Sequence, residues 1–139
     1  MLDYIIKKDD NRLYIAQGNN YITKDETISK YLNKILLNRL SNLSALEKTS
    51  KRLFGFKNKI PLYIDQDTLL LSIISHRMEN SIYINYFSIA KYEKIKDGII
   101  IYFHSYHCFK CKLPYAFISQ MKRAKHMVDS LRFISFQLQ

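Results

Sequence analysis

Apolar and polar positions follow two different rhythms along this chain. Over Tyr4–Ile6 and Leu13–Ala16, short apolar stretches flank the polar segment Lys7-Lys8-Asp9-Asp10-Asn11, the pattern of two short strands joined by a turn. Gln17–Ser29 is polar with little periodicity and reads as a loop, and Ile35–Leu37 reads as a third short strand. The rhythm then becomes helical. Leu43, Leu46, Ser50, Leu53 and Phe54 recur at three- and four-residue spacing, which predicts a helix over Leu43–Phe54. Ser44-Ala45-Leu46-Glu47 fits a capping box, in which the hydroxyl and the carboxylate satisfy the first free amides, and Gly55 stands where a helix stop is expected.

Past Pro61 the period changes to two. Leu62–Ile64 and Leu69–Ile74 are strand-like around the turn Asp65-Gln66-Asp67, and a polar loop, Ser75–Asn80, leads into Ile82–Phe87. Ile89–Tyr92 continues that strand or pairs with it. Lys96-Asp97-Gly98 is a hairpin turn signal before the β-branched run Ile99–Phe103, and a second turn near Ser105-Tyr106 leads to Phe109–Leu113. Pro114 opens the last helix, where its missing N–H costs nothing. Phe117, Ile118, Met121, Ala124, Val128 and Leu131 form its apolar stripe, with Lys122, Arg123, Lys125 and His126 largely off it. The order predicts an α+β fold in a single domain, 1–139: an antiparallel, strongly bent sheet or partly closed barrel with one internal helix and a C-terminal amphipathic helix. The same hairpins and closing helix also suit a pleckstrin-homology-like barrel.

Composition narrows the class. With 47% hydrophobic and 24% charged residues over 139 positions, the chain is neither a disordered tail nor, with three Gly and two Pro, a linker. No apolar run approaches the roughly 18 residues of a membrane span, and the first ten residues carry acids where a signal peptide wants bases. Two cysteines make no disulfide framework, so a cytoplasmic location is expected. The formal charge of +10 draws polyanions, nucleic acid first and anionic membrane second. Lys-rich, Ile-rich and Asn-rich usage inflates that total, so its distribution matters more. Residues 1–47 are near neutral, whereas 48–139 hold fifteen bases against six acids, five of the bases lying between Lys48 and Lys59 with no acid among them. Clustering favours a binding face over an ordinary solvated one.

Catalytic signals are weak. The run His104-x-x-His107-Cys108-x-x-Cys111 has zinc-ligand residue types. Cys108 and Cys111, however, fall three apart on a predicted strand and so point to opposite faces, and both His lie at a turn where exposure is ordinary. No metal and no cofactor is expected. Asp65 and Asp67 suit a turn, and three Gly cannot build a phosphate-cradling loop, so no enzyme is expected. Tyr83, Tyr86, Tyr102 and Tyr115 stand near bases and could stack on nucleobases, although strand propensity already explains tyrosine there. The basic residues remain the best site candidates: Lys51, Arg52, Lys57 and Lys59 around the helix end and Phe56, Arg77 on a loop, and Lys122, Arg123 and Lys125 on the last helix. Lysines neutralise phosphates, whereas Arg52, Arg77 or Arg123 can enter a narrow minor groove.

The segments K-R-L-F-G (51–55), P-L-Y-I-D (61–65), I-Y-I-N-Y-F-S-I (82–89), I-I-I-Y-F (99–103), F-K-C-K-L-P-Y (109–115) and F-I-S-Q-M-K-R-A (117–124) lie in an order that resembles the ComK family of competence transcription factors. The resemblance rests on collinearity of modest matches from about Ile35 to Leu131. Arg52, Phe54 and Gly55 fall on the family's R-x-F-G, Pro61 and Asp65 on its P-I-x-x-D, and Gln120 and Arg123 on its Q-x-x-R. It looks like a shortened member: only Phe56–Ile60 separates the first two motifs, Tyr83 stands where the family has Trp, and the chain ends at Gln139 before the family's long tail. The resemblance implies a DNA-binding activator of DNA-uptake genes that recognises paired A/T-rich boxes of double-stranded DNA through the minor groove. It also implies homo-oligomers at the nucleoid, RNA polymerase as a partner and removal through a Clp protease adaptor. Two rival readings follow from the residues alone: an interaction module binding protein or anionic lipid, and a metal or redox protein using His104, His107, Cys108 and Cys111.

Overall fold

Alternation of buried side chains along the strands decides the architecture. The computed structural model describes residues 1–8, 10–76 and 78–137, of which 133–137 as backbone only. One sheet has the order β3-β2-β1-β6-β5-β4, with β1 Leu2–Lys7, β2 Leu13–Gln17, β3 Asn20–Lys24, β4 Leu62–Asp65, β5 Thr68–Ile74 and β6 Ile82–Asn85, and every neighbouring pair is antiparallel. Successive residues of a strand face opposite sides. Thus Ile5, Leu13, Ile15, Leu70 and Tyr83 join one buried cluster, and Tyr4, Ala16, Leu69, Leu71, Ile73 and Ile84 join another. A sheet that is apolar on both faces must be covered on both.

Helices α1 (Ile28–Leu37) and α2 (Leu43–Phe54) cover the first face. Ile28, Leu32 and Leu36 of α1 are almost fully buried at four-residue spacing, each contributing about 1.5–3 kcal/mol relative to exposure. Thr27 caps α1, its side chain accepting from the Lys30 amide at 3.1 Å. This helix corrects the expected loop over Gln17–Ser29 and the expected strand at Ile35–Leu37. The triplet Ile35-Leu36-Leu37 belongs to a period of about four that begins at Ile28, inside the supposed loop. β3 was likewise hidden: only Ile22 of its five residues is even half-buried, so the edge strand carries no alternation to read. α2 spans the predicted residues, but its cap is Asn42, which accepts from the Ala45 amide at 2.9 Å, rather than Ser44.

The second face is covered by a three-stranded antiparallel sheet, β7 (Ile89–Ile95), β8 (Gly98–Phe103) and β9 (Cys108–Cys111) in that order, and by α3 (Pro114–Gln137). Ile99, Ile101, Phe103, Cys111, Phe117, Ala124 and Met127 close this core. The run Ile82–Phe87 is broken after Asn85 by a 3₁₀ turn, Tyr86–Ser88, which carries the chain from one sheet to the other. Ile89–Tyr92 therefore pairs with β8 and not with β6. Asn85 holds this corner: its Oδ1 accepts from the Leu69 and Phe87 amides, and its Nδ2 donates to the Leu2 and Asp67 carbonyls. Gly98 opens β8 at φ 150°, where a Cβ would lie 2.2 Å from the Cys111 carbonyl oxygen, so the β8–β9 approach depends on the missing side chain.

The fold is α+β with antiparallel strands and a C-terminal helix, as the pattern predicts. It departs from the single bent sheet or pleckstrin-homology-like barrel. The strands divide into two sheets, neither closes, and two internal helices stand where one was expected.

Candidate nucleic-acid interface

The basic segment between α2 and β4 is built by three local rules. Lys51 and Arg52 occupy the last turn of α2, where cations complement the helix dipole, and both are exposed. Gly55 then adopts the left-handed conformation (φ 73°), its amide donating to the Lys51 carbonyl, and the helix stops. Pro61 precedes β4, which leaves Phe56–Ile60 as a short loop carrying Lys57 and Lys59.

Helix α3 fixes the shape of this loop. Gln120 is buried, and its Nε2 donates to the Lys59 carbonyl at 2.6 Å while its Oε1 accepts from the Ser72 amide at 2.8 Å. Arg123 donates through one guanidinium nitrogen to the Asn58 carbonyl and, at 3.0 Å, to the Lys59 carbonyl. Its guanidinium also lies 5.0 Å from the centre of the Phe56 ring, which packs between Phe54 and His126. Lys59 sits at φ 46°, a conformation that costs an L-residue about 1–2 kcal/mol, and the carbonyl tethers hold it there.

The loop, α2 and the end of β5 enclose a cleft of about 260 Å³. Lys51, Lys57 and Lys59 line it together with Ser72, His76 and Tyr83. Tyr83 is buried with its hydroxyl 2.9 Å from the His76 amide, which donates to it, and burial raises its pKa above the usual phenol value. His76 is held from both sides, Nε2 at 2.8 Å from Glu47 Oε1 and Nδ1 at 3.3 Å from Ser29 Oγ. Lys48 and Lys51 line an adjoining groove that reaches Asn33 on α1.

The candidate bases thus separate. Lys51, Lys57 and Lys59 converge on one cleft. Arg52 is exposed beside it on α2 without lining it. Arg123 grips the loop backbone, whereas Lys122 and Lys125 are exposed on other sides of α3, roughly 100° and 200° around the helix from Arg123. Arg77 lies outside the described residues. Of the tyrosines considered for stacking, Tyr83 is buried and unavailable, Tyr86 and Tyr102 are half-buried, and Tyr115 is exposed. Nothing in the sequence pointed to Ser72 and Asn33, which reach the site from distant segments.

The histidine–cysteine run goes elsewhere. Cys108 is exposed and Cys111 buried, and burial raises the Cys111 thiol above its ordinary pKa. His107 is buried, contrary to the exposed turn expected, with Nδ1 at 2.9 Å from the buried Asp3 carboxylate, which also accepts from Ser105 Oγ at 2.5 Å. This cluster ties β1 to the β8–β9 hairpin. Among the described residues no group of three or more His, Cys, Asp or Glu is placed to hold a metal ion. Asp65 stabilises its turn by accepting from the Asp67 amide at 2.8 Å, and it also pairs with Arg39 at 3.1 Å.

The model of the ComK family, described as ComK protein, matches residues 5–133. The chain belongs to the ComK family. ComK proteins are competence transcription factors, a regulatory rather than an enzymatic family. No curated protein and no solved structure matches the chain. In this ComK protein the first two of the matched motifs flank loop 56–60, and the third reaches it from about sixty positions on. R-x-F-G supplies Arg52, Phe54 and Gly55 at the end of α2, Pro61 and Asp65 bound β4, and Q-x-x-R supplies the Gln120 and Arg123 tethers. Among the described residues no helix is long and apolar enough to cross a membrane.

Proposed function

We propose that this ComK protein is a DNA-binding activator of competence genes that contacts A/T-rich double-stranded DNA with the face formed by the end of α2 and loop 56–60. The observation that carries the reading is the convergence of Lys51, Lys57 and Lys59 on a loop whose backbone is fixed by Gln120 and Arg123. Lysines held on a rigid loop can neutralise phosphates without ordering the backbone at each encounter. Lys51, Lys57 and Lys59 take phosphates, Arg52 enters the minor groove, and Arg123 acts by positioning the loop. On this reading the protein works as a cytoplasmic, nucleoid-associated homo-oligomer, with RNA polymerase and a Clp protease adaptor as its protein partners.

Fluorescence anisotropy with a duplex carrying paired A/T-rich boxes and a G/C-rich scramble, titrated across salt, tests this. Tighter A/T binding that persists at physiological salt is expected. The double substitution Lys57→Glu and Lys59→Glu should lower affinity at least about tenfold and reduce the salt slope by roughly 0.9 for each phosphate no longer neutralised. Unchanged affinity in that variant refutes the assignment of the face. Equal binding of both duplexes that collapses with salt would mean that the +10 charge acts without specificity.

A further inference from the structure

The cleft beneath loop 56–60 has a composition that duplex binding does not require. Its rim carries three ammonium groups, from Lys51, Lys57 and Lys59, against one carboxylate, Glu47, which is turned onto His76 at 2.8 Å. Ser72 and Tyr83 line the cleft as well, together with the apolar Ile60 and Leu62. The loop carbonyls of Asn58 and Lys59 point to α3 and are bonded there. By contrast, the amides of residues 57–60 donate to no group among the described residues. A concave site lined by three lysines, by serine and tyrosine side chains and by apolar residues, next to a loop with unengaged amides, matches a small ligand with a compact, doubly charged head. A duplex phosphodiester carries a single charge and lies on a convex strand, which seats poorly in a space of about 260 Å³.

We infer that this cleft binds a small phosphate monoester, its phosphate among Lys51, Lys57 and Lys59 and its body along the side lined by Ile60 and Leu62. The inference stands on the cleft itself. If the DNA reading above also holds, occupancy withdraws the same lysines from DNA and makes the monoester an antagonist of DNA binding.

The test is an amide-resolved NMR titration of the full chain with inorganic phosphate, ribose 5-phosphate and AMP at about 150 mM salt. Saturable shifts at residues 57–60 are expected, with a dissociation constant below about 1 mM for at least one monoester. The double variant Lys57→Met and Lys59→Met should weaken it about tenfold, whereas Lys94→Met and Lys96→Met, which remove the same charge from exposed sites on or beside β7, should leave it unchanged. Shifts that rise without saturation, or equal weakening in both variants, would overturn the inference. A short duplex titrated in parallel separates the two readings. Duplex binding with no saturating monoester overturns this inference alone, and monoester binding with no duplex binding overturns the DNA reading alone.

Discussion

Gln120 joins α3, β5 and loop 56–60 through one side chain with two hydrogen bonds. Leu70 is the last β5 residue paired with β4, through Leu62, so the Ser72 amide two residues on has no β4 partner. Gln120 Oε1 takes the place of that missing strand carbonyl at 2.8 Å. Gln120→Leu leaves the buried Ser72 N–H unpaired, which costs about 1–3 kcal/mol. The Lys59 carbonyl is released as well, but it keeps Arg123 as a donor, so its loss adds little. The net expectation is about 2 kcal/mol, or roughly 6–8 °C in Tm for a domain of this size. Gln120→Glu keeps an acceptor for Ser72 but buries a carboxylate against the Lys59 carbonyl, so it should cost stability at neutral pH and loosen the loop. Urea unfolding, with duplex anisotropy on both variants, reads the two effects. Gln120→Leu should lose stability, and both variants should lose DNA affinity. A loss below about 0.5 kcal/mol in Gln120→Leu would refute the assignment of Ser72 to Gln120, since that is the level of ordinary surface substitutions.

Three further outcomes follow from other parts of the fold. Gly98→Ala, which sets a methyl 2.2 Å from the Cys111 carbonyl oxygen, should cost about 3 kcal/mol in denaturant unfolding and separate β8 from β9. Asn85→Leu removes four hydrogen bonds to backbone groups at the junction of the sheets and should cost about 3–5 kcal/mol by the same measurement. Glu26 is held below its usual pKa chiefly by the hydrogen bond from Lys34, so its contribution is present above the unfolded value near 4.5 and fades as the pH falls through the lower folded value. Glu26→Gln should therefore lower Tm at neutral pH and converge with the parent as the pH falls through the lowered folded value, and a constant offset at every pH would contradict the pairing.

The sequence by itself determined the elements whose signals are local. The helix over Leu43–Phe54 followed from its period and from Gly55, and the β7–β8 hairpin from Lys96-Asp97-Gly98. The helix opened by Pro114 did as well, because dihedral preference and hydrophobic period act within a few residues. The basic cluster and the family motifs were equally visible along the chain. Tertiary structure alone decided what depends on distant partners. α1 was obscured because its first buried residue, Ile28, lies inside a polar stretch and gains meaning only against Leu13, Ile15 and Tyr83 of the sheet. The division into two sheets turns on Asn85, whose four partners come from Leu2, Asp67, Leu69 and Phe87. His107 became a buried partner of Asp3 across 104 positions, which no local exposure rule anticipates. At the candidate site, the count of lysines was legible, but which of them share a cleft was not. Charge is a property of each residue, whereas convergence is set by the hydrogen bonds that Gln120 and Arg123 make to a loop more than sixty positions away.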